Sequence, residues 1–525
     1  MSRLFEALER LPPQREILRC NGRSDDVAAL LEGSARLATG LAALGVGAGD
    51  RVALWLPNIP AWLECFLACA RLGAIAVSVN TRFRAHEVSD IVGRSGARVL
   101  VVWPGFNGID FGDILAGVAP EVLAALDHIV AYGEDEVTPV ALHGVGVTAY
   151  ADCRTQLPHP GRGDDTARCV IFTTSGTTRA PKFVCHVQGT VADHAADVAA
   201  ALDLAAPGTR VLQALPMCGV FGFTQALSAL VAGAPVDLLP VFDAATAASM
   251  VRERAITHMH GVDDMIAAML AARSEPQPFP SLRLFGYAAF NPALEDIVAE
   301  ADARGVTLCG LYGMSECHAL YAMQPPRLDS AERRKGGGRP LSPRAAVRVR
   351  DPESGVLLGP GQPGEIEVSG PSLMLEYYDN PAATAEALGN DGYLRTGDLG
   401  YLEDDGRFCY LARMGDVLRL GGFLVSPLEI EAVIDEHVDV AASQVVALSI
   451  DGRLRPVAFV LPAAGAVPAA EAIVAWCRER LAGYKVPARV FTLEAFPTTA
   501  SANGTKIQKA RLRAMAESLC AAAAD

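Results

Sequence analysis

Phe172-Thr-Thr-Ser-Gly-Thr-Thr-Arg-Ala-Pro-Lys-Phe183 is the most informative stretch of this 525-residue chain. It follows an apolar run at 169–172 that predicts a strand, and it holds five hydroxyls, one glycine and one lysine within eleven positions. Hydroxyls and exposed backbone N–H groups in such a loop can cradle polyphosphate, and Lys182 can neutralise its charge. It is not a Walker loop, because GxxxxGK[ST] is absent. Taken alone, a Ser/Thr-rich loop is also an ordinary polar turn. Its surroundings decide between the two.

Upstream, apolar residues recur at helical spacing over 34–44 and stop at Gly45-Val-Gly47. Strands are predicted at 51–56, 74–79 and 97–103, separated by helices at 61–72 and 85–95. That alternation indicates a parallel sheet with crossover helices. It returns after Arg168, with strands at 169–172, 211–214, 235–239 and 282–287. The fold class is therefore α/β, with two α/β halves sharing one large N-terminal body. After about residue 340, short strands at 345–350 and 364–369 between Gly and Pro predict a smaller β-rich subdomain. From Asp416 the order strand, helix, strand, helix fits a small α+β domain. The expected division is an N-terminal domain at 1–412, a hinge at 413–416 and a mobile C-terminal domain at 417–525.

Composition sets the outer limits. The chain carries 45 Lys+Arg against 60 Asp+Glu, a net charge of −15, which argues against a dedicated nucleic-acid binder. With 51% hydrophobic and 20% charged residues it can bury large cores, and its length calls for more than one domain. The twelve cysteines are scattered without a CxxC pair, as in core packing within a reducing cytoplasm. No apolar signal core opens the N-terminus. The most apolar stretch, 227–242, is broken by Gly233, Pro235, Asp237 and Pro240, so no transmembrane segment is expected.

TTSGTTRAPK resembles the phosphate-binding signature of the adenylate-forming superfamily: acyl- and aryl-CoA synthetases, peptide-synthetase adenylation domains and luciferases. Further elements follow in the family's order. Leu311-Tyr-Gly-Met-Ser-Glu316 resembles the YGxTE element, with Ser315 for the usual Thr. Gly392-Tyr-Leu-Arg-Thr-Gly-Asp-Leu-Gly400 resembles the TGD element. Arg413-Met-Gly-Asp416, followed by Gly421-Gly-Phe-Leu-Val-Ser-Pro, resembles the hinge and the start of the mobile domain. Residues 497–506, ending in Gly-Thr-Lys506, resemble the terminal element with the catalytic lysine, and Gly49-Asp-Arg-Val-Ala-Leu-Trp-Leu-Pro-Asn58 fits as well. The resemblance covers nearly the whole chain.

It implies an AMP-forming acyl-CoA synthetase using ATP, Mg²⁺ and coenzyme A on a small-molecule substrate, a hydrophobic carboxylic acid. Thr173, Thr174, Ser175, Gly176, Thr177, Thr178 and Lys182 would hold the phosphates. Gly286, Tyr287, Ala288, Tyr312, Gly313 and Met314 would surround the adenine, Tyr312 with its flat ring and Gly286 with a close backbone approach. Asp398 and Arg413 would take the ribose. Glu316, a hard oxygen ligand, would meet Mg²⁺, with Ser315 beside it in the catalytic set. Lys506 would swing onto the α-phosphate and stabilise charge developing there. Asp416 would be the hinge, and Gly421 and Gly422 would face the CoA arm.

Departures from the family pattern mark this chain. Two glycines usual in the phosphate loop are Arg179 and Phe183, and bulky residues avoid positive φ, so fewer conformations are open to the loop. Arg179 either adds a phosphate contact or stiffens it, and adenylation is either slowed or abolished or left intact. Gly310 stands where the family often has Asn or Gln facing adenine, and Gly219 where it often has His. No Asp follows in Pro216-Met-Cys-Gly-Val-Phe221 to pair a substrate ammonium, which disfavours an amino-acid substrate. Gly219, Val220, Phe221, His260, Val262 and Met265, with Met217 and Phe223, can line an acyl pocket or simply fill core. A carrier-protein ligase, an enzyme of the thioester half-reaction alone and a non-catalytic nucleotide binder are the rival readings; a homodimer is compatible with all of them.

Overall fold

The computed structural model describes all residues except 1, 134–140, 175–180, 292–293, 415–417, 421–422, 426, 451–452, 482, 484, 502–503 and 523–525. Side chains at 419, 423–424, 429, 453, 500–501, 504–506 and 521–522 also lie outside the description.

Among the described residues, two sheets, of nine and fourteen strands, form the large N-terminal body. In the first, Arg51–Trp55 lies between Ile75–Ser78 and Val99–Val102, and all three run parallel. Side chains alternate faces along such a strand. Val52 and Leu54 enter one core while Ala53 and Trp55 enter another on the opposite face. The helix Pro60–Leu72 is buried along almost its whole length, which explains its apolar sequence on every face. It fills the space between the sheets with Val27–Ala43, Gln188–Ala201 and Val220–Ala232, in one core that draws Val52 and Phe172 from the first sheet and Leu18 and Leu311 from the second. Outer helices cover both remaining faces.

Several boundaries depart from expectation. The first long helix starts at Val27, not 34, because Asp26 caps it by accepting from the Ala29 N–H at 2.8 Å. Gly33, a poor helix former, is tolerated because a Cβ there would sit 2.7 Å from Glu64 and Arg154. Before that helix, Glu16–Cys20 runs parallel to Val236–Leu238, and Arg23–Asp26 closes the sheet edge; neither strand was anticipated. The β-rich segment after 340 is not a separate sheet. Gly337–Pro340 pairs with Ala322–Met323 and with Phe408–Arg413, so the antiparallel strands extend the second sheet.

The small C-terminal domain holds more β structure than strand, helix, strand, helix. A hairpin, Leu418–Leu420 with Phe423–Val425, precedes the helix Pro427–Asp435. Val440–Ile450 and Arg453–Pro462 then form a long antiparallel pair, with Arg489–Thr492 parallel to the second of them. Alternation again divides the faces: Val445 and Ala458 meet Ile430 and Ile473, whereas Val446 and Val457 meet Leu512 of the last helix. All twelve cysteines are free thiols, and among the described residues no helix is long and apolar enough to cross a membrane.

Candidate active site

Strand register builds the first part of the site. Leu394–Leu402 and Phe408–Arg413 are antiparallel, and their register sets Asp398 opposite Arg413. The Arg413 Nε lies 3.1 Å from Asp398 Oδ1, and its Nη1 donates to the Thr396 carbonyl at 3.1 Å. Asp398 is 3% exposed, and the Tyr312 hydroxyl donates to its Oδ2 at 2.7 Å. Burial pushes the Asp398 carboxyl up to about 6, against the pull of Arg413 and Tyr312. The Tyr312 ring sits edge-on to Phe408, with centroids 5.1 Å apart, and is tilted against Tyr410. Tyr312, expected only to offer a ring face, also orients the carboxylate.

Glu316 follows on the turn Ser315–Cys317 after the strand Leu308–Tyr312. It is 6% exposed, and its Oε1 accepts from the Tyr377 hydroxyl at 2.7 Å. The Lys182 Nζ lies 4.4 Å from the centroid of the same Tyr377 ring. Tyr377 therefore joins the phosphate-loop lysine to the candidate metal ligand. It escaped the sequence reading because it is 61 residues from Glu316. The pairing of Glu376–Tyr377 with Phe183–Val187 and the Met374 N–H, which donates to the Glu316 carbonyl at 2.8 Å, bring the groups together.

The turn carrying Glu316 is strained and tied down. His318, Ala319 and Leu320 have φ of 61°, 49° and 38°, three successive left-handed residues. Such a run costs about 1–2 kcal/mol per residue. Gly313 makes room for it, since a Cβ there would lie 2.6 Å from the Ala319 Cα. Three side chains hold its carbonyls: His186 Nε2 lies 2.8 Å from the Ser315 oxygen, Thr224 donates to His318 at 2.6 Å, and His194 Nε2 lies 2.9 Å from the Ala319 oxygen. The His186 and His318 rings stack with centroids 3.5 Å apart, and His194 continues the stack at 5.7 Å. Burial lowers His186 to about 3 and His194 to about 4, so both are neutral N–H donors near pH 7. The sequence reading missed this histidine stack, whose outermost members in sequence, His186 and His318, are 132 residues apart.

At the loop, Thr173 ends its strand opposite Phe183. Thr174 N donates to the Lys182 carbonyl at 3.0 Å, and Lys182 N donates to Thr174 Oγ1 at 3.2 Å, closing the hairpin base. Ser175, Gly176, Thr177, Thr178 and Arg179 lie outside the described residues. Phe183 lies outside the loop proper. It occupies a strand, with φ outside the left-handed range, and its ring is 3% exposed within the outer core of the first sheet.

Other expected residues divide. The Tyr287 ring is buried in the outer core of the second sheet and its hydroxyl donates to the Arg334 carbonyl at 3.1 Å, so only its backbone is left for a nucleotide. Gly286 donates to His260 Nδ1 at 3.1 Å, and a Cβ there would meet that ring 2.7 Å away; its smallness serves His260. Ala288 and Met314 are half-buried nearby on the ends of their segments. At Gly310 a Cβ would collide with the Lys335 carbonyl oxygen, so the missing Asn or Gln reflects backbone filling that space. Val220, Phe221, His260 and Val262 are buried, Met265 is half-buried, and the Phe221 and His260 rings lie nearly parallel with centroids 6.3 Å apart. Gly219 caps the helix that carries Phe221. Met217 is buried too, and Phe223 belongs to the core with Trp62, Phe66 and Phe172.

In the C-terminal domain Lys506 lies in the strand Gly504–Ile507, opposite Thr499. Its side chain, with Asp416, Gly421 and Gly422, lies outside the description. Lys509 is committed elsewhere, its Nζ 3.1 Å from Oε1 of the buried Glu431.

A two-part molecule of this fold is the architecture of an adenylate-forming ligase, and known proteins agree. The AMP-binding enzyme model matches residues 4–378, and the AMP-binding enzyme C-terminal domain model matches residues 429–503. A feruloyl-CoA synthase of Amycolatopsis is 34% identical over 514 residues, covering 96% of both chains. Among solved structures, ATP-bound MatB from Rhodopseudomonas palustris superposes with a TM-score of 0.82 at 25% identity, covering 99% of this chain and 100% of that one. The o-succinylbenzoate coenzyme A synthetase of Bacillus subtilis, in complex with ATP and magnesium ion, gives 0.78 at 25% identity over 97% and 99%. The chain belongs to the AMP-binding enzyme family, and its activity is that of an AMP-forming acid–thiol ligase using ATP, Mg²⁺ and coenzyme A.

Proposed function

We propose that the acid is a hydrophobic monocarboxylate, aromatic in preference, and that the residues above divide its activation as follows. A carboxylate oxygen attacks the α-phosphorus of ATP; the bond to the β-phosphate breaks and pyrophosphate leaves. The coenzyme A thiolate, its proton released to water, then attacks the acyl carbonyl, and AMP leaves. Asp398 accepts from the ribose hydroxyls, with Arg413 donating beside it, and Tyr312 holds Asp398. Thr173, Thr174 and Lys182 take the phosphates together with the loop between them. Gly286, Ala288, Gly313 and Met314 contribute to the adenine surroundings.

Glu316 fits Mg²⁺ by its chemistry: a buried carboxylate, oriented by one neutral hydroxyl donor. The ion neutralises phosphate charge when bound with ATP. Ser315 carries the carbonyl that fixes this turn. Lys506 stabilises the α-phosphate in the first half-reaction. Rotation about Asp416 then exchanges it for the face bearing Gly421 and Gly422, as hinge motions of this kind do.

The observation that carries the reading is the convergence on one strand-and-turn, Tyr312 to Glu316, of a ribose-type carboxylate and a phosphate-type lysine. The acid assignment is supported by Phe221 and His260 and by the feruloyl-CoA synthase relative. Asp263, the buried carboxylate beside Val262, already accepts from the N–H groups of Phe290 and Asn291, both at 2.7 Å, and of Asp264 at 3.0 Å, so its oxygens are engaged by backbone rather than open to a substrate ammonium. The test is coenzyme A-dependent AMP release across alkyl, aryl and amino acids. Turnover with cinnamate- or benzoate-type acids is expected. Preference for amino acids, or AMP release that ignores coenzyme A, would sink the proposal.

A further inference from the structure

Phe183 replaces a glycine usual at this loop, and its ring has a partner. Arg94, in the last turn of the helix Ala85–Ser95, places its guanidinium carbon 4.2 Å from the Phe183 centroid. The same guanidinium donates to the Pro181 carbonyl at 2.8 Å. Asp90, one turn earlier, holds it in a two-pronged pair at 2.7 and 2.8 Å. Such a planar fork, fixed at one edge, presents its face and remaining donor without further ordering. Both neighbours of Lys182 are therefore gripped by one side chain from a different helix.

We propose that Arg94 is a positioning residue for Lys182, acting through the Pro181 carbonyl and the Phe183 ring. This rests on the assignment of Lys182 to the ATP phosphates. The Lys182 ammonium in turn lies over Tyr377, which orients Glu316. A cation that must meet a phosphate loses effectiveness when displaced by an ångström. Lysine at 94 cannot reproduce the fork: one ammonium cannot pair bidentately with Asp90, reach Pro181 and lie flat on Phe183.

The experiment measures the half-reactions separately for wild type, Arg94→Ala, Arg94→Lys and Phe183→Leu. Acid-dependent pyrophosphate–ATP exchange reads the first, and thioester formation from a supplied acyl-adenylate reads the second. All three variants are expected to raise the KM for ATP in exchange on the order of tenfold, with Arg94→Lys no better than half-way restored. Thioester formation from the adenylate should stay within about twofold of wild type. An unchanged KM for ATP overturns the proposal. So does an equal loss in both half-reactions accompanied by a lower unfolding midpoint, which marks a merely structural role. Absence of exchange in the wild type with every acid would instead overturn the ligase reading on which the proposal stands, so the two failures are distinguishable.

Discussion

Replacing Tyr312 with Phe deletes one hydroxyl and keeps the ring against Phe408 and Tyr410. That hydroxyl donates at 2.7 Å to a carboxylate that is 3% exposed. A hydrogen bond to a buried charged group contributes about 1.5–3 kcal/mol, and one pKa unit corresponds to about 1.4 kcal/mol. The loss falls on the ionised form alone, so the Asp398 pKa should rise by about one to two units. Starting from about 6, the variant carboxyl would titrate at about 7–8. A protonated Asp398 offers the ribose hydroxyls a weaker, uncharged acceptor. The KM for ATP should therefore climb as pH falls through about 6 in wild type, and through about 7–8 in Tyr312→Phe. At pH 7 the variant's KM should exceed wild type by roughly two- to tenfold, narrowing toward pH 9. Pyrophosphate–ATP exchange from pH 5.5 to 9 reads this, and the titration of ATP itself cancels in the ratio of the two enzymes. A ratio independent of pH would refute the reasoning, because it would show that Tyr312 does not control Asp398 ionisation.

Lys506→Ala should lower pyrophosphate exchange by on the order of 10²–10³-fold while sparing thioester formation from a supplied adenylate; survival of both half-reactions would remove its role. Lys509→Ala should show the opposite signature, a loss of about 1–3 kcal/mol in urea unfolding from removing one charged donor to the buried Glu431 carboxylate, which keeps the Val445 N–H. His186 titrates near 3 in the folded protein and near 6.5 when unfolded, so the unfolded chain binds the extra proton between those values. Its contribution to stability is thus full above about 6.5 and is lost as pH falls, by up to about 1.4 kcal/mol per unit. His186→Leu should flatten the stability-versus-pH slope between pH 6 and 4.5 by about that amount; parallel slopes would contradict the neutral-donor assignment. Gly313→Ala should cost about 1–3 kcal/mol of stability, read by the same unfolding curves, because its methyl would press on the left-handed backbone at Ala319.

Local signals in the chain were sufficient where the structure is local. The alternation of apolar runs with helical segments pointed to the strands around Arg51–Trp55, and the family resemblance named Asp398, Arg413 and Glu316, whose neighbouring placement comes from the strand register. Glu16–Cys20 has no such alternation, since Glu-Ile-Leu-Arg-Cys becomes a strand only through its parallel partner Val236–Leu238. Tyr377 could not be read as a site residue, because nothing near it in sequence marks a hydroxyl aimed at Glu316. The place of Phe183 was hidden for the same reason. A glycine-to-phenylalanine change looks restrictive in a loop, but the strand begins at that residue and the ring enters a core formed by distant helices. Gly310 inverts the lesson: what reads as a lost contact is a position where the backbone of Lys335 excludes any side chain.

The central claim is tested most directly by following AMP, pyrophosphate and acyl-CoA together in one reaction containing Mg-ATP, coenzyme A and an aromatic acid. The account predicts equal amounts of all three, no ADP, and no AMP when the acid is left out. Formation of ADP, or AMP accumulating without thioester, would contradict it.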